Sequence, residues 1–225
     1  MPDIRANVAR VRMRIADAAA RCGRRPDDVV LVAVTKMVAP DRIREAMACG
    51  LRVFGENRVQ EAREKIPEIA GASWHLIGSL QRNKVKEALG LFEVIHSVDR
   101  VPLAEELSHR AIQILGRPVD VLIQVNISHE AQKHGVAPEE SPALVEQVAR
   151  LPGLRLRGLM GIAPIVPDPE GARPFFRSLR ELRDRIRDAA PDVLLGDLSM
   201  GMTDDFEVAI EEGSTMVRIG RALFA

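Results

Sequence analysis

Val29-Val30-Leu31-Val32-Ala33-Val34-Thr35 is a run of seven apolar or β-branched residues, and Lys36 closes it. A run with no polar face predicts a strand covered on both sides, as in a parallel sheet wrapped by helices. Before it, Ile4, Val8, Val11, Ile15, Ala18 and Cys22 alternate spacings of four and three, which is one face of a helix, and Gly23 is placed to end it. After it the alternation continues. Helices are predicted over residues 40–49, 56–69, 81–89, 101–115, 138–151, 170–189 and 204–212. Strands are predicted over 51–54, 74–77, 92–97, 119–125, 154–160, 194–198 and 215–219. About eight strand–helix units of roughly 25 residues give the rhythm of a barrel. The expected fold is therefore α/β: a (β/α)8 TIM barrel preceded by an N-terminal helix, one domain over residues 1–225. An open doubly wound sheet uses similar strands and is the structural competitor. The proline-rich stretch 163–169 (APIVPDP) reads as a long loop after the sixth strand.

Composition narrows the partners. Lysine plus arginine equals aspartate plus glutamate, 32 each, so the formal net charge is zero. Nothing in bulk electrostatics draws the chain to nucleic acid or to an anionic membrane. Cys22 and Cys49 are the two cysteines, and they read as small buried side chains rather than a disulfide or a metal site. The opening Met1-Pro2-Asp3-Ile4-Arg5 is charged and has no apolar core of a secretory signal. No run approaches the ~18 apolar residues of a membrane span. A reducing cytoplasm is the expected location.

In a barrel, chemistry gathers at the carboxyl ends of the strands. Those ends carry Lys36, Gly55-Glu56-Asn57, Gly78, Ser97, Asn126, Gly161, Ser199-Met200-Gly201 and Arg218-Ile219-Gly220. Lys36 projects toward the mouth. Burial there disfavours its ammonium, and a neutral amine attacks an aldehyde. The plain alternative is a solvated lysine at a strand–loop junction, and position alone favours it. Ser199 and Gly201 follow the seventh strand; Gly220 and Arg221 follow the eighth. Loops after these two strands commonly bind phosphate, glycine allowing close approach of N–H groups and serine adding a hydroxyl. Those glycines could equally serve tight turns. Taken with Lys36, the set suggests a phosphorylated aldehyde. Arg218, charged among apolar neighbours, either faces the barrel interior or reaches an acidic helix. Facing inward, it meets a ring nitrogen as a donor that keeps its proton, which weakens the ring as an electron sink. Thr203-Asp204-Asp205 can cap the following helix. His75, His96, His109, His129 and His134 show no metal-binding spacing, and His75 beside Trp74 reads as a hydrogen-bonded core residue.

Several longer strings are unusual. VAVTK ends at Lys36; FGENRVQE spans 54–61 and WHLIGSLQRNK 74–84; LSMGMTDDFEVAI spans 198–210 and GSTMVRIGRALF 213–224. Together with VNIS at 125–128 and RLRGLM at 155–160, they resemble the pyridoxal phosphate homeostasis protein family, in order and over nearly the whole chain. That family is similar to the N-terminal barrel of alanine racemase, of fold type III. The resemblance implies pyridoxal 5'-phosphate (PLP) held as a Schiff base on Lys36, with Asn57 beside it. It implies that Ser199, Gly201, Gly220 and the backbone of Arg221 hold the phosphate and that Arg218 faces the pyridine nitrogen. Arg221 departs from the small hydroxyl residue common there, keeping a backbone donor but losing a hydroxyl. The implied role is storage, buffering or delivery of PLP, without catalysis. PLP, related B6 vitamers and PLP-dependent apo-enzymes are then the partners of a monomer. A racemase-like enzyme is the alternative, and an aldolase-like Schiff-base barrel a third reading. A racemase of the alanine type uses a tyrosine from a second domain as its second base, and this chain has no tyrosine.

Overall fold

Asp3 starts the first helix by accepting from the Ala6 N–H at 3.0 Å, satisfying one of the orphan donors of the first turn. In this computed structural model, which describes residues 3–130 and 132–225, that helix, α1 (Ile4–Arg21), buries Ile4, Val8, Val11, Ile15 and Ala18. Its buried face is the one the spacing of fours and threes predicts. Gly23, at φ +70°, follows it.

Eight parallel strands then close on themselves: β1 (Val30–Val34), β2 (Val53–Glu56), β3 (Ser73–Leu76), β4 (Val94–Val98), β5 (Val119–Val125), β6 (Leu154–Gly161), β7 (Asp197–Ser199) and β8 (Met216–Ile219). Closure is made by β8 lying beside β1, with Val32 opposite Arg218 and Ala33 opposite Ile219. The open-sheet competitor is thereby excluded. The intervening helices are α2 (Pro40–Ala48), α3 (Val59–Lys65), α4 (Val85–Leu89), α5 (Val101–Leu115), α6 (Ser141–Ala149), α7 (Arg173–Ala189) and α8 (Phe206–Glu211). A last helical turn, α9 (Arg221–Phe224), follows β8. Helix α1 packs on α8, α9 and α2, outside the barrel. Asn7 Nδ2 donates to Leu223 O at 3.0 Å, and Arg14 grips Glu207 through two bonds of 2.9 and 2.7 Å.

Several strands begin later than their apolar runs, β2 and β7 among them. Leu51 N–H donates to Ala46 O at 3.2 Å, so this residue still serves to end α2 and β2 starts at Val53. Leu194 is 81% exposed and lies outside β7, which keeps three residues. The stretch 163–169 is a loop as far as Pro169, where a 3-10 turn (Pro169–Ala172) leads into α7.

The main core lies between the strands and the surrounding helices. A second, small cluster of Val94, Leu122 and Met160 sits apart from it. These residues alternate along their strands with the outward core positions, which places them inside the barrel.

Candidate functional site

At the end of β1 the chain turns sharply. Thr35 N–H still pairs with Gly55 O of β2 at 3.0 Å, and Val38 N–H closes a turn on Thr35 O at 2.9 Å. Lys36 and Met37 form its corner, with Met37 at φ +60°. Lys36 is exposed, so the burial that position at a strand end suggests for it is not found; the turn swings the residue out of the sheet. Directly beneath lies a buried ion pair. Glu56 Oε1 accepts from Thr35 Oγ1 and from Lys65 Nζ, both at 2.7 Å, and the same ammonium donates to Thr35 O at 2.7 Å. Thr35 is thus held through both its hydroxyl and its carbonyl.

Inside the barrel, polar side chains replace the branched aliphatics usual there. Arg218 is 4% exposed and faces inward. It donates through Nη1 to Ser199 Oγ at 2.7 Å and through Nη2 to Gly161 O at 3.0 Å. Ser199 Oγ lies 3.0 Å from His96 Nδ1, and His96 Nε2 lies 2.9 Å from His75 Nδ1. Burial pushes His75 down to about 4 and His96 well below the ordinary imidazole value, so both rings are neutral at pH 7. Burial also pushes Arg218 down to about 10, with Asp205 acting the other way. No carboxylate among the described residues lies within ion-pairing distance of this guanidinium. A buried cation left without a counter-charge is costly, and an acceptor at the mouth would complement it.

The loops after β7 and β8 meet Arg218 and β1. Arg218 N–H donates to Gly201 O at 3.0 Å. Gly201 sits at φ +92°, and a Cβ there would come within 2.5 Å of Ala209 Cβ, so only glycine fits. Gly220 lies against β1, where a Cβ would meet Val34 O at 3.2 Å. Ser199 does not present its hydroxyl to the mouth, because Arg218 and His96 engage it. Thr203 Oγ1 accepts from Ala222 N–H at 3.5 Å, bridging the two loops. The motif reading assigned Thr203 only to helix capping. Asp205 is the N-cap residue of α8 but its side chain makes no capping bond; its Oδ1 instead accepts from Met202 N–H at 2.6 Å, and burial raises its carboxyl. The Arg221 guanidinium pairs with Asp204 at the surface, which leaves the residue's backbone as its contribution to the mouth.

Asn57, just beyond β2, is half-buried and lines a cavity of about 300 Å³ with Gly78, Gln124, Asn126, Lys133 and His134. Gly78 is needed there, since a Cβ would strike Asn57 O at 2.1 Å. Ser97 belongs inside β4 rather than at its end, and Asn126 organises its own loop by donating to Glu130 O at 3.0 Å. His75 is buried and hydrogen-bonded, as the motif beside Trp74 suggests, but its link through His96 to Arg218 was not foreseen. Strands too short to reveal their pleat gave no signal for it.

The sequence profile of the alanine racemase N-terminal domain family matches residues 4–225. A pyridoxal phosphate homeostasis protein of Aquifex aeolicus is 48% identical over 219 residues, covering 96% of this chain and 95% of its own. That of Pseudomonas aeruginosa is 47% identical over 228 residues, covering 100% and 96%. Among solved structures, PipY of Synechococcus elongatus with PLP bound superposes with a TM-score of 0.82 at 38% identity, covering 94% of this chain and 100% of that one.

Proposed function

The chain belongs to the alanine racemase N-terminal domain family, among the pyridoxal phosphate homeostasis proteins, and from that premise we propose that it holds PLP at the carboxyl end of its barrel and stores, buffers or delivers it. The observation that carries this reading is the buried Arg218 guanidinium, unpaired by any described carboxylate, on the strand beside the one that leads into the Lys36 turn. Bound PLP supplies an aldehyde that condenses reversibly with a primary amine, and Lys36 is the amine we assign to that Schiff base.

Each neighbouring residue then has a task. Arg218 would keep its proton and donate to the ring nitrogen of a bound cofactor, leaving that nitrogen an acceptor. The N–H groups of Gly201, Gly220 and Arg221, with the Thr203 hydroxyl, would hold the phosphate. Ser199 acts from behind, through its bond to Arg218. Asn57, just beyond β2, would border the ring. Lys36, exposed in its turn, is accessible to small amines and to a recipient apo-enzyme, which suits exchange better than sequestered turnover.

A carrier rather than a racemase is favoured by what lies near the mouth. The chain has no tyrosine to serve as a second base. His75 and His96 are buried and bonded to each other, Cys22 Sγ bonds to Ala18 O within α1, and Cys49 closes α2. None stands ready as a base opposite Lys36. We take the protein as a cytoplasmic monomer whose partners are PLP, related B6 vitamers and PLP-dependent apo-enzymes, without nucleic acid or membrane. Zero net charge gives no bulk attraction to nucleic acid or an anionic membrane, and no helix among the described residues is long and apolar enough to cross a membrane.

Borohydride reduction of PLP-loaded protein followed by peptide mass spectrometry should place the added mass on Lys36. A Lys36→Ala variant should lose both that label and the visible absorbance of the bound cofactor. Label on another lysine would remove the assignment. Efficient interconversion of L- and D-amino acids would remove the carrier reading.

A further inference from the structure

A chain of four polar side chains runs through the barrel interior, from Arg218 on β8 through Ser199 on β7 and His96 on β4 to His75 on β3. We propose that His96 and His75 are positioning residues: with Ser199 they form a one-way hydrogen-bond relay that fixes the Arg218 guanidinium against the ring of the bound cofactor. The tautomers of this relay follow from the chain's own geometry. Its effect on the cofactor rests on the PLP reading above.

The direction is set at one end. A guanidinium only donates, so Ser199 Oγ accepts from Arg218. The serine proton then needs its own acceptor, and the one in reach among the described residues is His96 Nδ1, at 3.0 Å. His96 Nδ1 is therefore bare and Nε2 carries the hydrogen. Nε2 lies 2.9 Å from His75 Nδ1, so it donates there, and His75 in turn is an Nε2–H tautomer. Reversing the relay would make Ser199 Oγ accept twice and leave its proton without a partner at a fully buried position. Protonating His75 would set two N–H groups against each other at 2.9 Å, and protonating His96 would turn a second donor on Ser199 Oγ and leave the serine proton without an acceptor. The charged groups that bear on the relay are Arg218 and Asp205 at the mouth side and Asp120 with Arg157 near His75.

The result is an arginine held by two fixed acceptors, Ser199 Oγ and Gly161 O. Two of its five N–H donors are used by these bonds, which leaves three for other acceptors. A guanidinium steered in this way meets an acceptor on the ring with little rotational freedom left to lose.

Nitrogen-15 correlation spectra of the histidine rings, taken on the full-length protein without added cofactor, test the relay directly. His75 and His96 should both show a hydrogen on Nε2 and a bare Nδ1, unchanged from pH 6 to pH 8. A hydrogen on either Nδ1 overturns the proposal. With PLP added, His96→Leu should raise the dissociation constant about tenfold and shift the visible band of the bound cofactor. His96→Gln, whose carbonyl can accept from Ser199, should restore most of both. A His96→Leu variant with wild-type affinity and an unmoved band also overturns it. If the unaltered protein fails to take up PLP, the cofactor reading falls while the ring tautomers still decide the relay.

Discussion

Met37 holds φ +60° although it is not a glycine, and its side chain is 87% exposed. A left-handed conformation costs an L-residue about 1–2 kcal/mol, and no packing at this exposed position offsets it. The strain sits at the residue after Lys36 and keeps the turn that presents the amine. Met37→Gly releases the strain but loosens the unfolded chain by about 0.5–1 kcal/mol. We expect a net gain of up to about 1 kcal/mol in urea unfolding, with PLP lost several-fold faster in a dilution assay. Met37→Ala, which retains the strain, should gain nothing in stability. Lys36 was legible as the polar stop of an apolar run, but the φ of its neighbour was not, since methionine carries no signature of a positive φ. Ser199 shows the same limit: its place after the seventh strand was readable, whereas the direction of its hydroxyl depends on the pleat of a three-residue strand.

Between β2 and α3, Glu56 is fully buried and Lys65 nearly so, and the pair holds the backbone that precedes Lys36. Removing one partner from a buried pair leaves an uncompensated charge, at a cost of about 3–5 kcal/mol. Lys65→Met should therefore lower denaturant stability by that order. The double variant Lys65→Met with Glu56→Gln should recover most of it, because the two sites act as one unit. A purely additive double variant would show that the pair is not coupled. Elements with long periodic patterns were fully legible: α5 (Val101–Leu115) and β5 (Val119–Val125) carry the predicted bounds. Elements whose ends are set by chain closure were not. Leu51 and Leu194 looked like strand residues, yet one completes the end of α2 and the other is exposed. The ion pair itself escaped notice because Glu56 and Lys65 are nine positions apart and meet only through the turn into α3.

At the scale of the whole molecule, the barrel carries a neutral, buried histidine pair where barrels usually carry branched aliphatics, and this links stability to pH. His75 is held near 4 in the folded chain, against an ordinary value of 6.5. Below pH 6.5 the unfolded chain takes up a proton that the folded chain refuses, so stability is full above that value and falls as the pH drops toward 4. By pH 5, His75 alone removes roughly 2 kcal/mol. His96, depressed by its burial, adds a loss of the same sign. Asp197 and Asp205, raised by burial, act oppositely, since the folded chain takes up their protons first and stability gains as they fill. Glu211 and Glu212, lowered by their arginine partners against the opposing effect of burial, begin to cost stability only near and below their ordinary value of 4.5. Between pH 6.5 and 4.5 the histidines therefore set the sign. Denaturant unfolding at pH 7.5 and pH 5.0 should show a clear loss at the lower pH, and His75→Gln should flatten the slope by roughly 2 kcal/mol whatever its stability at pH 7.5. A stability that does not change across that interval would mean that the imidazoles are not both buried and neutral.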